Sequence, residues 1–240
     1  MYRWEIWTDG PSRLLTAAEG SGRLITTMRA LSAAFPGEAD TVRMSPGGDR
    51  LPIGTDADDD TAEALRQELE AGGNTGVEAL SLGRGRLWVT WRDPGPGRPG
   101  TRAELQVGTK PLMNPALEER LPELAALVAE LGRVWEADYA WIDIVHVRQD
   151  WNRWRRGLPV FSLATWLRDS AARVDVDGLD VDATDTGGGR LVVLRLPPAA
   201  VGNDEEGSVS GGRALVRALA ARTVLADGRP LLAANPALAG

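Results

Sequence analysis

Val77-Glu78-Ala79-Leu80-Ser81-Leu82-Gly83-Arg84-Gly85-Arg86-Leu87-Trp88-Val89-Thr90-Trp91 decides the fold class. Two runs of strand-forming residues meet across Gly83-Arg84-Gly85, a link so short that the second strand must turn back along the first. Parallel pairing would need a crossover of about a dozen residues or more. The next strand candidate, Arg102 to Val107, follows the proline-glycine stretch Asp93 to Gly100, which reads as an exposed loop. Gly187-Gly188-Gly189 repeats the hairpin signal before the apolar strand Leu191 to Leu196. Short connections of this kind predict an α+β fold, a mostly antiparallel sheet with packed helices, over a doubly wound one.

Working outward, Tyr2-Trp4-Ile6 alternate with Arg3-Glu5-Trp7 as a strand that Asp9-Gly10 breaks. A helix with Leu24, Met28 and Leu31 follows, interrupted near Gly20-Ser21-Gly22 and ended by Pro36. Thr41 to Met44 and Leu51 to Ile53 flank the Pro46 to Asp49 turn, and a helix carrying Ala64, Leu65 and Leu69 opens at Asp60 or Thr61. The longest helix spans Pro115 to Trp135 with Leu121, Leu124, Leu127, Val128 and Leu131 on one face; Pro122 predicts a break or a true start near Leu121. Tyr139 to Val147 alternates as a strand, and Val160 to Leu167 reads as a strand or a strand-helix junction. A closing helix covers Ser208 to Leu225, and the tail from Asp227 is expected to be loosely held. The 240 residues suit a single α+β domain, with room for two similar-sized halves at 1–112 and 113–240.

Composition limits the chemistry. Nine tryptophans stand beside one histidine, one lysine (Lys110) and no cysteine, so large rigid contact surface is plentiful and groups titrating near neutral pH are scarce. Without cysteine there is no disulfide, thiolate metal site or cysteine nucleophile. A formal charge of −7 disfavours phosphate backbones and favours encounter with a basic partner. No leader and no membrane-spanning run is apparent in the sequence, which predicts a cytoplasmic protein with no membrane partner.

Each candidate motif has a plainer alternative. Asp56 to Asp60 begins like a calcium loop, but Thr61 and Gln67 stand where glycine and a carboxylate are needed, so an acidic helix start is expected and no metal. Asp175, Asp177, Asp180, Asp182 and Asp185 form an acidic run that reads first as a solvated strand edge and second as a patch for a basic partner. His146 could act as a base oriented by Asp143 or Asp150, yet neither a second histidine nor a Gly-x-Ser-x-Gly elbow supports a hydrolase. The glycine runs lead into strands, whereas phosphate cradles lead into helices, and no cofactor is expected. Trp151-Asn152-Arg153-Trp154-Arg155-Arg156 is the strongest constellation: one helical turn would set both indoles on one side among three arginines, as protein-binding hot spots are built. Core capping is the alternative, and the chain's acidity speaks against nucleic acid.

From Gly108 to Leu225 the sequence resembles the immunity protein 52 family of bacterial polymorphic toxin systems. The resemblance is carried by Gly108, Asn114-Pro115, Leu121-Pro122, Trp135 and the aromatic strand Asp138-Tyr139-Ala140-Trp141. Ala164-Thr165-Trp166-Leu167, the glycine turn before Leu191 to Leu194 and the closing helix at Ala214 to Leu225 complete it. It implies a non-catalytic protein that protects its own cell by binding a cognate toxin domain. Contacts would then be expected at Trp151, Arg153, Trp154, Arg155 and Arg156, with Asp175, Asp177, Asp180 and Asp182 as an acidic complement. Trp88, Trp91, Trp135 and Trp141 are expected mainly in the core. A ligand-binding regulatory domain is the further alternative.

Overall fold

The computed structural model describes residues 4–9, 16–34, 41–43, 50–52, 62–64, 66–67, 76–82, 85–92, 102–109, 116–144, 157–195 and 207–238. Ten strands form one sheet: β1 (Trp4–Asp9), β2 (Thr41–Arg43), β3 (Arg50–Pro52), β4 (Gly76–Leu82), β5 (Gly85–Arg92), β6 (Arg102–Thr109), β7 (Tyr139–Ile144), β8 (Ala164–Arg168), β10 (Val181–Asp185) and β11 (Gly189–Leu194). The order is β10-β11-β8-β7-β1-β6-β5-β4-β2-β3, and every pairing is antiparallel. The fold is therefore α+β. β4 and β5 pair across Leu82 and Gly85, as the short glycine link requires. A two-stranded ribbon stands apart, β9 (Ala172–Val174) with β12 (Thr223–Leu225).

Helix α1 (Ala17–Ala34) starts on a reciprocal cap. The Thr16 N–H donates to Glu19 Oε2 at 2.9 Å, and the Glu19 N–H donates to Thr16 Oγ1 at 3.2 Å. The expected interruption at Gly20 to Gly22 does not occur. Gly20 and Ser21 are buried, and the Ser21 hydroxyl donates to the Ala18 carbonyl inside the helix. Helix α2 (Ala116–Val134) likewise runs through Pro122. Pro122 is exposed, so the backbone carbonyl that its missing N–H leaves unpaired can turn toward water.

Cross-strand partners share a face, which sorts the side chains of β1, β7, β8 and β11. Ile6, Ile142, Ala140, Ala164 and Trp166 fall on one face, and α2 lies on this part of the sheet with α1 against it. Buried Trp135 closes the layer, its Nε1 donating to Thr27 Oγ1 of α1 at 2.8 Å. The opposite face presents Tyr139, Trp141, Leu167, Val192 and Leu194. These join Val216 and Leu219 of α3 (Gly207–Ala221), Leu225 of β12, and Leu231 of α4 (Leu231–Ala234) in one core. Trp7 stacks on Trp141 there, ring centroids 6.3 Å apart and planes 11° from parallel.

Two further expectations are corrected. The closing helix ends at Ala221, and Thr223 to Leu225 extend as β12. Thr223 and Leu225 alternate inward around exposed Val224, a period-two burial that a helix could not provide. The tail is not loosely held either: Leu231 and Leu238, the latter in a 3-10 turn at Pro236–Leu238, are buried in the core.

Candidate functional site

The ribbon is fastened to the sheet at its start. The Tyr139 hydroxyl donates to the Ala171 carbonyl at 3.4 Å, and the Asp169 N–H donates to the Gly188 carbonyl at 3.1 Å. Gly187 and Gly188 both have positive φ, which lets the β10–β11 connection turn tightly enough to receive that bond. Between the ribbon and the β10–β11 end of the sheet lies an open cleft of about 740 Å³.

Register builds its floor. Asp185, Arg190 and Leu167 are successive cross-strand partners and share the core-facing side of the sheet. Ala172 and Val174 of β9, with the following turn Asp175-Val176-Asp177, form the wall. Arg173 and Val224 are paired across the ribbon and both exposed, Val224 at 45%. Val224 is the exposed large apolar side chain among the described residues, and it stands beside arginines at the rim of the cleft.

The charges are weakly satisfied by one another. Arg222 Nη1 donates to the Asp177 backbone carbonyl, and Arg190 Nη1 to the Val174 carbonyl at 3.5 Å. Arg190 Nε stands 3.7 Å from Asp185 Oδ1 and is a buried donor with no hydrogen-bond acceptor. Among the described residues no other carboxylate lies within ion-pair distance of Arg173, Arg190 or Arg222. Asp175 Oδ1 accepts the Asp177 N–H at 3.0 Å, closing a local turn.

The acidic run is therefore divided. Asp175, Asp177 and Asp185 line the cleft, while Asp180 and Asp182 meet Arg195 instead. The hydrogen bond from Arg195 holds the Asp182 carboxyl below the usual aspartate range and raises the Arg195 guanidinium in turn. The expected solvated strand edge holds for Asp182 and Asp185, exposed on β10 at the end of the sheet order, and is corrected for Asp175 and Asp177, because β9 ends at Val174 and Asp175 to Asp180 turn into β10. Among the described residues no group of three or more His, Asp or Glu could hold a metal ion.

Trp151, Arg153, Trp154, Arg155 and Arg156 lie outside the described residues, as do His146, Asp150 and Asp56 to Asp60. Asp143 sits on β7 opposite Glu5. Of the four core tryptophans expected, Trp135 and Trp141 are buried; the Trp88 and Trp91 side chains are outside the description. Sequence reasoning missed Arg173, Arg190, Arg222 and Val224. Their one signal was the inward-outward alternation of Thr223, Val224 and Leu225, which a helical reading concealed.

No helix among the described residues is long and apolar enough to cross a membrane. No family model matches the chain, and no curated protein is significantly similar to it. Among solved structures it is similar to the Pseudomonas aeruginosa T6SS protein PA0821, at 8% identity and a TM-score of 0.46 over 80% of this chain and 67% of that one. At that level the likeness says nothing about what this chain does.

Proposed function

We propose that this chain is an immunity protein that binds a cognate toxin domain and neutralises it without catalysis. The observation that carries the reading is the cleft, where three arginines lie among aspartates and an exposed valine, and among the described residues the one carboxylate within ion-pair distance of them is Asp185, 3.7 Å from Arg190 Nε and 87% exposed. A uniformly basic groove would suit a phosphate backbone. Mixed charge with an apolar contact suits a folded polypeptide, whose surface carries both signs. The resemblance to the immunity protein 52 family points the same way.

Trp151 and Trp154 remain candidate anchors in addition to the cleft residues. The test is coexpression of this chain with the toxin domain encoded beside its gene, in cells that the toxin kills. Restored growth and a complex of fixed stoichiometry are expected. A toxin domain that neither binds nor is neutralised overturns the proposal. Trp151→Ala with Trp154→Ala is expected to weaken the complex roughly tenfold or more, the loss typical of paired aromatic hot spots. His146→Ala is expected to protect fully; a folded variant that still binds but no longer protects would indicate chemistry instead.

A further inference from the structure

The ribbon has one open edge, and its hydrogen-bond register shows which backbone groups face it. Ala226 N–H donates to the Ala171 carbonyl and Asp175 N–H to the Arg222 carbonyl. Residues 171, 173 and 175 therefore make the bonds to β12, and Ala172 and Val174 point their N–H and C=O groups the other way. Both residues line the cleft. Neither outward N–H has a hydrogen-bond partner among the described residues, and the Val174 carbonyl has only the 3.5 Å contact from Arg190. That contact is at the limit of a hydrogen bond.

We infer that the cleft receives an extended segment of the protein partner, which adds to β9 as a third ribbon strand and presents a carboxylate to Arg190. This rests on the proposed toxin-binding role and names how the partner is held. An incoming strand takes the outward groups of Ala172 and Val174, the mode by which open sheet edges capture peptides. Side chains of that strand opposite Ala172 and Val174 point inward over Leu167 and Arg190, because cross-strand neighbours share a face.

Arg190 selects what points there. Its Nε is buried without an acceptor, its Nη1 holds the Val174 carbonyl weakly, and its nearest carboxylate, Asp185, is 87% exposed at 3.7 Å. A partner carboxylate supplies the missing acceptor in a charge-assisted, bidentate geometry and frees the carbonyl for the new strand. Arg173 on the exposed face offers a second cation to the intervening residue of that strand. The rim aspartates repel an indiscriminately acidic chain, so the carboxylate must sit at the inward position.

The experiment uses the full chain and the purified toxin domain encoded beside its gene. Residue-resolved amide exchange is followed with and without that domain. The Ala172 and Val174 amides are expected to slow at least tenfold in the complex, and unchanged exchange there overturns the inference. In parallel, Ala172→Pro removes one outward N–H and leaves the bonds to β12 intact, so the fold is retained and Kd rises roughly tenfold or more. Arg190→Gln raises Kd by a similar factor, while Arg190→Lys recovers part of the loss. Should Ala172→Pro fail to fold, the exchange experiment on the unsubstituted chain decides. A tight complex with unaltered Ala172 and Val174 amides overturns this binding mode alone; no complex at all overturns the immunity role with it.

Discussion

Trp166 shows how much can hang on one side chain. It is buried between α2 and β11, and a methyl group placed on Gly132 would lie 2.3 Å from its ring, or on Gly189 2.4 Å from it. Its Nε1 donates to Thr186 Oγ1 at 2.9 Å. Gly132→Ala should therefore destabilise the protein by about 1–3 kcal/mol through overpacking, read as a lowered denaturant midpoint at constant slope. An unchanged midpoint would mean that the ring has room to move. At Asp182 the expectation concerns pH. The bond from Arg195 depresses the folded carboxyl pKa, so the pair stabilises above the ordinary aspartate value and its contribution is lost as pH falls through the folded value. Carboxyl carbon titration by NMR should place Asp182 below a free aspartate, and Arg195→Gln should return it upward. Trp135 and Trp166 were legible in sequence as core residues or aromatic landmarks, but their glycine and threonine partners were not, because those contacts join segments far apart in the chain.

At the scale of elements, α1 and the segment that ends α2 are joined by a buried polar bond, Trp135 to Thr27. Thr27→Val keeps the shape and removes the acceptor, and should cost about 1–3 kcal/mol in equilibrium unfolding; a neutral result would show the bond to be dispensable. Periodicity located both helices, yet it overstated the breaks at Gly20 to Gly22 and Pro122. Local propensity there is outweighed by the capping pair Thr16 and Glu19 at one helix and by the apolar stripe of Leu124, Leu127, Val128 and Leu131 at the other. β12 failed in the opposite direction. Three residues are too few to show a strand period next to a strong helix, and only pairing with β9 defines them. The cleft was invisible for the same reason, since β9, β11 and β12 meet through non-local pairing.

Across the whole molecule, antiparallel topology was readable from the short glycine turns, while the strand order was not. Hairpins specify neighbours, and β1 has no hairpin partner. It lies between β6 and β7, with Trp7 opposite Trp141. A slow assembly step follows from that placement. The sheet stays open as two separate edges until residues 4–9 find partners 101 to 140 positions further along the chain, and closing so long a loop costs entropy before any contact rewards it. Until β1 docks, the edges of β6 and β7 that it pairs with are expected to be open to a competing strand. A free peptide matching residues 4–9 could take those edges during refolding, and would act as a competitive poison of this protein's own maturation.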